Sequence, residues 1–446
     1  MNNKYTSEEY LSAALNMISF ADSSPEAFHA AANITSCLKE RGYTELFESE
    51  KWEIEAGGKY YVTRNLSSVI AFKVNSPKPR GFMICAVHCD SPAFKLKPGF
   101  ADSTGGLYTR LNVEKYGGMA LYTWLDRPLS IAGRLICETE NGIETRLTDM
   151  GRDYCVIPSL AIHMNPDTNK GFSPNPQTDM LPIIGDAAAA ERCMKELAER
   201  AEVDEKSILG FDLFLYNRQR GTIWGADSEY FSAPRIDDLQ CVYAALSALL
   251  ECRATDAVQV MAVFDNEEVG SGTKQGARST FLRDVIERAS AALGVSGDEL
   301  YRMLADSMMI SADNGHAVHP NHPEKADPIN RPHMNGGVVI KHNANQRYTT
   351  DGVSAAIFKK ILNTAGIPYQ EYVNRSDIAG GSTLGNIASE KVSINTVDIG
   401  AAQLSMHSSY ETGGTHDTLY LTEAMRGFFE TELKAIGGGG FKIEGI

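Results

Sequence analysis

The stretch "MAVFDNEEVGS", Met261 to Ser271, sets Glu267 and Glu268 side by side where an apolar run stops. Adjacent carboxylates repel each other, and each costs free energy to desolvate unless a cation holds it. A solvated loop would explain the pair, and so would a metal site. Other stretches favour the metal site. "GFMICAVHCDSP" carries His88 with Asp90 two residues on, and "SAPRIDDLQ" carries Asp237 and Asp238. "MMISADNGHAVHPN" carries Asp313, His316 and His319, and "DIGAAQLSMHSSYE" carries His407. Singly, each has a plainer reading. A lone His after a strand is more often hydrogen-bonded structure than a ligand, and His316 and His319 suit a polar loop. An acidic pair before a helix is usually a cap favoured by the helix dipole. Coincidence changes the balance, because every one of these stretches reads as the end of a strand in one α/β sheet, where such sheets gather their ligands.

Histidines and carboxylates without thiolates suit zinc or a similar first-row divalent ion. This many ligands is enough for two ions that share a bridging carboxylate. Such a pair can activate one water and polarise a carbonyl, and an uncommitted carboxylate can act as general base. Spacing alone does not say which of Glu267 and Glu268 binds metal. Nucleotide chemistry lacks its anchor, since neither G-x-G-x-x-G nor G-x-x-x-x-G-K-[ST] occurs. The G-x-S-x-G elbow and the HExxH pattern are also missing.

The elements that must position these residues follow from periodicity. The chain opens with two helices, the second begun by "SSPEAFHAAA" with Ser24 as N-cap and Pro25 at the first helical position. Strands are expected in "KYYVTRN", "SSVIAFKVN" and "RGFMICAVHCD", the last apolar nearly throughout, as a strand covered on both faces would be. Short strands and Gly, Asn and Pro clusters then mark a β-rich stretch, with one helix near "DAAAAERCMKELAERA". After Asp237 helix and strand alternate again, ending in a predicted helix "DTLYLTEAMRGFFETELKAI" and a glycine run read as a flexible turn or tail. The fold class predicted is α/β, a mostly parallel sheet flanked by helices. Residues 1–93 and 232–446 would form that body, with 94–231 inserted as a β-rich domain.

At 446 residues the chain exceeds one ordinary core, which agrees with an insertion. The net charge of −15 argues against nucleic acid or an anionic membrane as main partner. No apolar run reaches membrane-span length, and the start, with Glu8 and Glu9, is not expected to be a secretory leader. The eight cysteines form no CxxC pair and several lie among apolar neighbours, so buried free thiols in a reducing cytoplasm are expected.

"VHCDSP", "SAPRIDDL", "FDNEEVGS", "SADNGHAVHPN" and "QLSMHSSYE" resemble, in order, the motifs of the M18 family, the aspartyl aminopeptidases. "IPSLAIHMN" and "VIKHNANQRY" extend the resemblance over essentially the whole chain. It implies a dinuclear zinc exopeptidase fold, with an inserted dimerisation domain through which dimers build a tetrahedral dodecamer. It implies that His88 binds one metal, Asp237 bridges both, Glu268 binds one, and Asp313 and His407 complete the pair. Glu267 would be the general base, and Asp90 would support His88 by accepting its other ring N–H. The peptide bond between Asp237 and Asp238 would be cis, as in related dinuclear peptidases. The family pattern has Asn after the bridging Asp, where this chain has Asp238. His163 would reach a neighbouring subunit's site and stabilise the oxyanion; from the residues alone it reads as structural, or as a third metal histidine. Lys341 would meet an acidic substrate side chain, with Tyr348 near it and His316 touching substrate. His319 and His322 are read as structural.

The implied activity is removal of an N-terminal Asp or Glu from peptides by two divalent ions, zinc first, with manganese or cobalt able to use the same ligands. A dinuclear aminopeptidase of neutral or broad preference, or an amidohydrolase, would use the same site. A metal-binding, oligomer-forming protein without catalysis is the reading from another class.

Overall fold

The computed structural model describes residues 4–104 and 106–445. Its largest sheet has nine strands. At its centre Val258–Phe264, Phe82–His88, Met308–Ala312 and Asn395–Gly400 lie side by side and parallel. Antiparallel pairings flank this block, Ser68–Val74 against Val258–Phe264 on one side and Val338–Lys341 against Asn395–Gly400 on the other. Every residue of Phe82–His88 is buried, because helices cover both faces.

The two-residue side-chain period divides that strand between two cores. Met83, Cys85 and Val87 pack with helices Ser7–Asp22, Ala27–Glu40, Ile236–Glu251, Gly352–Ala365 and Asp417–Phe429. Phe82, Ile84 and Ala86 pack with Phe281–Ala292, Asp298–Ala305 and Leu384–Ala388. Burying one such large side chain contributes about 1.5–3 kcal/mol, so a charge at Ile84 would unseat the strand that carries His88.

The middle of the chain forms a separate six-stranded antiparallel sheet. Its strands run from Ala93–Thr104 to Ile208–Asn217, and helix Ala189–Arg200 packs on its own apolar core. A third, five-stranded sheet joins Thr222–Trp224 and Tyr230–Ala233 to Glu411–Gly414, Ala402–Leu404 and Gly315–His316.

Two local expectations are corrected. The second helix starts at Ala27 with Glu26 as its cap, not at Ser24 and Pro25. The Glu26 carboxylate takes the N–H groups of Phe28 and His29, a stronger cap than a hydroxyl, and Ser24 Oγ instead accepts from Asn33. The last helix ends at Phe429, and Glu432–Gly437 turns back through glycines onto Gly440–Glu444 as a hairpin. Leu433 is buried while the following residues of its strand are exposed, so its partner strand, across the turn, decides the conformation.

Candidate metal centre

His88 ends its strand opposite Phe264, so His88 and the Asp265–Glu268 turn emerge at the same edge of the large sheet. Asp313 follows the neighbouring strand Met308–Ala312. Asp237 and His407 come from elsewhere, after strands Tyr230–Ala233 and Ala402–Leu404 of the five-stranded sheet. The motifs thus issue from two sheets rather than one. Three turns use left-handed backbone, at Arg235 (φ 59°), Asn266 (φ 61°) and His407 (φ 62°), each just before or at a functional side chain. Asp237 and Asp238 have non-helical dihedrals, the peptide bond between them is cis, and neither caps the helix that follows.

The side chains converge. His88, Asp237, Asp238 and Asp313 each bring a donor atom within 4.8 Å of the others, as do Asp237, Glu268 and His407, and as do His88, Glu267 and Glu268. Asp237 turns Oδ1 to His88 Nε2 at 3.5 Å and Oδ2 to His407 Nε2 at 3.4 Å. His407 Nε2 also stands 3.3 Å from Glu268 Oε1. His88 Nδ1 lies 3.1 Å from the Asp90 carbonyl oxygen and 3.4 Å from its carboxylate, so the main chain is the nearer acceptor for the ring N–H. Donation there leaves Nε2 free to bind metal.

The electrostatics match the crowding. Burial, then repulsion from Asp313 and Glu268 against the pull of His88, pushes Glu267 up to about 8. Burial, with Asp237 nearby, pushes Glu268 up to about 7. Asp238, also buried, is pushed well up. Burial opposes protonation of His407, but its contacts with Asp237 and Glu268 outweigh burial and push it up to about 12. Asp237 moves down in spite of burial, because His407 and His88 face it.

Asp237 Oδ1, Asp238 Oδ1 and Glu268 Oε1 are buried and accept no hydrogen bond. An unmet buried acceptor costs about 1–3 kcal/mol, more when charged, and a divalent ion satisfies several at once. Two imidazoles and a set of carboxylates form a donor set that zinc accepts. The residues fit the group.

The family model described as "Aminopeptidase I zinc metalloprotease (M18)" matches residues 20–429. A probable M18 family aminopeptidase 2 of Clostridium acetobutylicum is 46% identical over 427 residues, covering 94% of this chain and 99% of that protein. The chain belongs to the M18 family of peptidases. It is a metallo-aminopeptidase of a zinc-dependent family. Its fold matches a chain of the Ape4 and Nbr1 complex with a TM-score of 0.90 at 34% identity, over 95% of this chain and 87% of that one. It matches a chain of the S. cerevisiae mApe1 dodecamer with a TM-score of 0.82 at 28% identity, over 94% and 97% of the two chains.

Around the cluster of this M18 aminopeptidase lie contacts that sequence reasoning did not foresee, made by Asp90 and by three residues it did not single out, Tyr116, Glu411 and Asn314. The Asp90 carboxylate accepts the backbone N–H groups of Glu267 and Glu268, each at 3.1 Å, and the Tyr116 hydroxyl at 2.6 Å. Glu411 accepts the N–H groups of Asp237 and His407. Asn314 donates to Gln240 and Gln403 and accepts from the Ala401 N–H. Glu411 and Asn314 lay inside the quoted motifs, so adjacency to a ligand was the available signal. Tyr116 had none.

The remaining predicted residues divide. Lys341 is buried, donates to the Asn314 carbonyl at 2.8 Å, and stands 3.8 Å from Asp313 and 5.4 Å from the Tyr348 ring centre. His316 faces Tyr372 and lines a cavity of about 460 Å³ with His319, His322, Asn374 and Gln403. His319 Nδ1 accepts the Asn321 N–H, a local loop bond. His163 is not brought to the cluster. It lies on an exposed segment whose apolar neighbours Leu160, Ile162 and Met164 are 57%, 49% and 74% exposed.

Proposed function

We propose that this aminopeptidase removes an N-terminal Asp or Glu from peptides with two divalent ions held around Asp237, zinc first, with manganese and cobalt as alternatives. The observation that carries the reading is the membership of Asp237 in two donor groups at once, one with His88 and Asp313, the other with Glu268 and His407. Those two groups would each hold one ion. Bound there, the ions supply activation of a water and polarisation of the scissile carbonyl.

Glu267 does the proton work. Its carboxylate belongs to neither of those groups, and among the described residues it takes no hydrogen bond. A carboxyl raised toward neutrality by burial is matched to taking a proton from water and passing it to the leaving amine. Lys341, with Tyr348 and His316, recognises the acidic side chain; a buried ammonium 3.8 Å from Asp313 and 5.4 Å from the Tyr348 ring centre supports this. His163 stabilises the oxyanion of a neighbouring subunit's substrate, which its exposure and apolar surroundings suit.

Residues 94–231 act as the dimerisation domain, and residues 1–93 with 232–446 as the catalytic domain. Dimers assemble into a tetrahedral dodecamer, a reading supported by the dodecamer of the related mApe1 chain. A cytoplasmic location belongs to the same reading. All eight cysteines are free, and no helix among the described residues is long and apolar enough to cross a membrane.

The test is a panel of aminoacyl anilides with acidic, neutral and basic residues, assayed before and after chelation and with zinc, manganese or cobalt added back. Acidic residues should be cleaved best, and only with metal. A preference for neutral residues removes the substrate assignment; activity that survives complete chelation removes the metal mechanism.

A further inference from the structure

We propose that Tyr116 is a positioning residue for the catalytic glutamates, holding the Glu267–Glu268 turn through Asp90 and Asn266. The inference rests on the reading that Glu267 moves the proton and Glu268 holds metal.

Tyr116 closes the strand Tyr108–Tyr116 and so belongs to the antiparallel sheet, not to the α/β body. Its ring packs edge-on against Phe214 of the same sheet, with centroids 5.5 Å apart, which fixes the phenol in the inserted module. The hydroxyl crosses the joint. It donates to Asp90 Oδ2 at 2.6 Å and accepts from Asn266 Nδ2 at 2.8 Å. An ionised carboxylate can only accept and an amide NH₂ can only donate, so the single phenolic proton has one place to go.

Beyond the phenol the chain of contacts reaches the glutamates. Asp90 Oδ1 accepts the Glu267 N–H and Oδ2 the Glu268 N–H, both at 3.1 Å. Asn266 precedes Glu267 in left-handed backbone, and its Oδ1 accepts from Thr273 and Gln275, each at 2.8 Å. The turn is therefore gripped by its backbone and by its leading side chain, and both grips end on one hydroxyl.

The residues after Tyr116 press the same way. A Cβ at Gly117 (φ +76°) would stand 3.1 Å from Glu268 Cβ, so only glycine lets the strap lie this close. Ala120 N–H donates to the His407 carbonyl at 3.0 Å. The strap from Tyr116 to Ala120 thus touches both Glu268 and His407, and Tyr116 is its only polar side chain.

Tyr116→Phe removes the hydroxyl and keeps the ring. Partners one step behind a metal ligand are worth about 10–100-fold in affinity or activity, and Tyr116 stands one step further out, behind Asp90, so the lower end of that range applies. The expected result is a kcat about 10-fold lower with little change in KM. Zinc affinity, read by competition with a chromophoric chelator, should weaken about 10-fold, and the visible absorption of the cobalt(II)-loaded protein should shift. Wild-type kcat, zinc affinity and cobalt spectrum, whatever the melting temperature, overturn the proposal. If Tyr116→Phe does not fold, Asn266→Asp carries the test. It keeps an oxygen for Thr273 and Gln275 and removes the amide donor to the phenol and to Asp265 Oδ1, so unchanged kcat and affinity there overturn it as well. Glu267→Ala is assayed alongside. If that variant turns over normally, the catalytic reading fails; if it is dead while Tyr116→Phe is normal, only the positioning role fails.

Discussion

Glu411 holds Asp237 by its backbone, with Oε2 accepting the Asp237 N–H at 3.0 Å. The other oxygen accepts the His407 N–H at 2.7 Å. One buried carboxylate thereby fixes the residue shared by both donor groups and the histidine that faces it. Glu411→Ala leaves two N–H groups unmet, at about 1–3 kcal/mol each. It should melt lower and retain less metal after gel filtration, while Glu411→Gln, which keeps one acceptor oxygen, should lose less. Full metal content and an unchanged melting temperature in the alanine variant would contradict this.

Glu267→Ala should separate chemistry from binding. Glu267 stands outside the two donor groups assigned to the ions, so metal content should match the wild type. A general base is worth about 10²–10⁴-fold, and kcat should fall by that order with KM little changed. Metal analysis and steady-state kinetics on one preparation check both halves; near-normal kcat would end the assignment.

Most of the strands that carry ligands were legible, because two-sided burial makes Phe82–His88 and Val258–Phe264 nearly continuous apolar runs, the second broken only by Gln259, with a polar residue at or just past the end. The convergence of polar residues was legible only from their coincidence at several strand ends, since each one singly has a plainer reading. What escaped depends on partners remote in sequence. Tyr116 reads as one more aromatic at a strand end until Asp90 and Asn266 are brought to it. Leu433 reads as helical until its hairpin partner Ile443 is known. The origin of His407 and Asp237 in a second sheet was equally hidden, because three-residue and four-residue strands such as Ala402–Leu404 and Tyr230–Ala233 are too short to show a period.

The chelated protein should lose stability as pH rises. Burial puts Glu268 at about 7 and Glu267 at about 8, against a usual 4.5, so the folded state binds more protons than the unfolded one between those values. His407, raised from 6.5 to about 12, acts in the same direction. Stability present below the unfolded value is lost as pH climbs through the folded one. The melting temperature of chelated protein should therefore fall from about pH 5 to about pH 8, and the fall should be shallower in Glu268→Gln. Zinc displaces these protons, so its affinity should rise over the same range, with proton release read by calorimetry in two buffers. A melting temperature equally steep in Glu268→Gln would remove Glu268 from the linkage.

Subunit mixing tests the role of His163. On its own chain His163 lies on an exposed segment away from the cluster, so an oxyanion donor at that position must serve another subunit. His163→Ala should lose about 10²–10³-fold in kcat, the usual worth of one such donor, while keeping its metal and its assembly state. Glu267→Ala should be inactive for a different reason. When the two variants are co-expressed, some sites pair an intact Glu267 with a neighbour's intact His163, and activity should return in the mixed assemblies. A histidine acting within its own chain could give no such rescue, because every site would then carry one defect or the other. Mixed assemblies isolated through two affinity tags and found inactive would therefore place the oxyanion donor elsewhere.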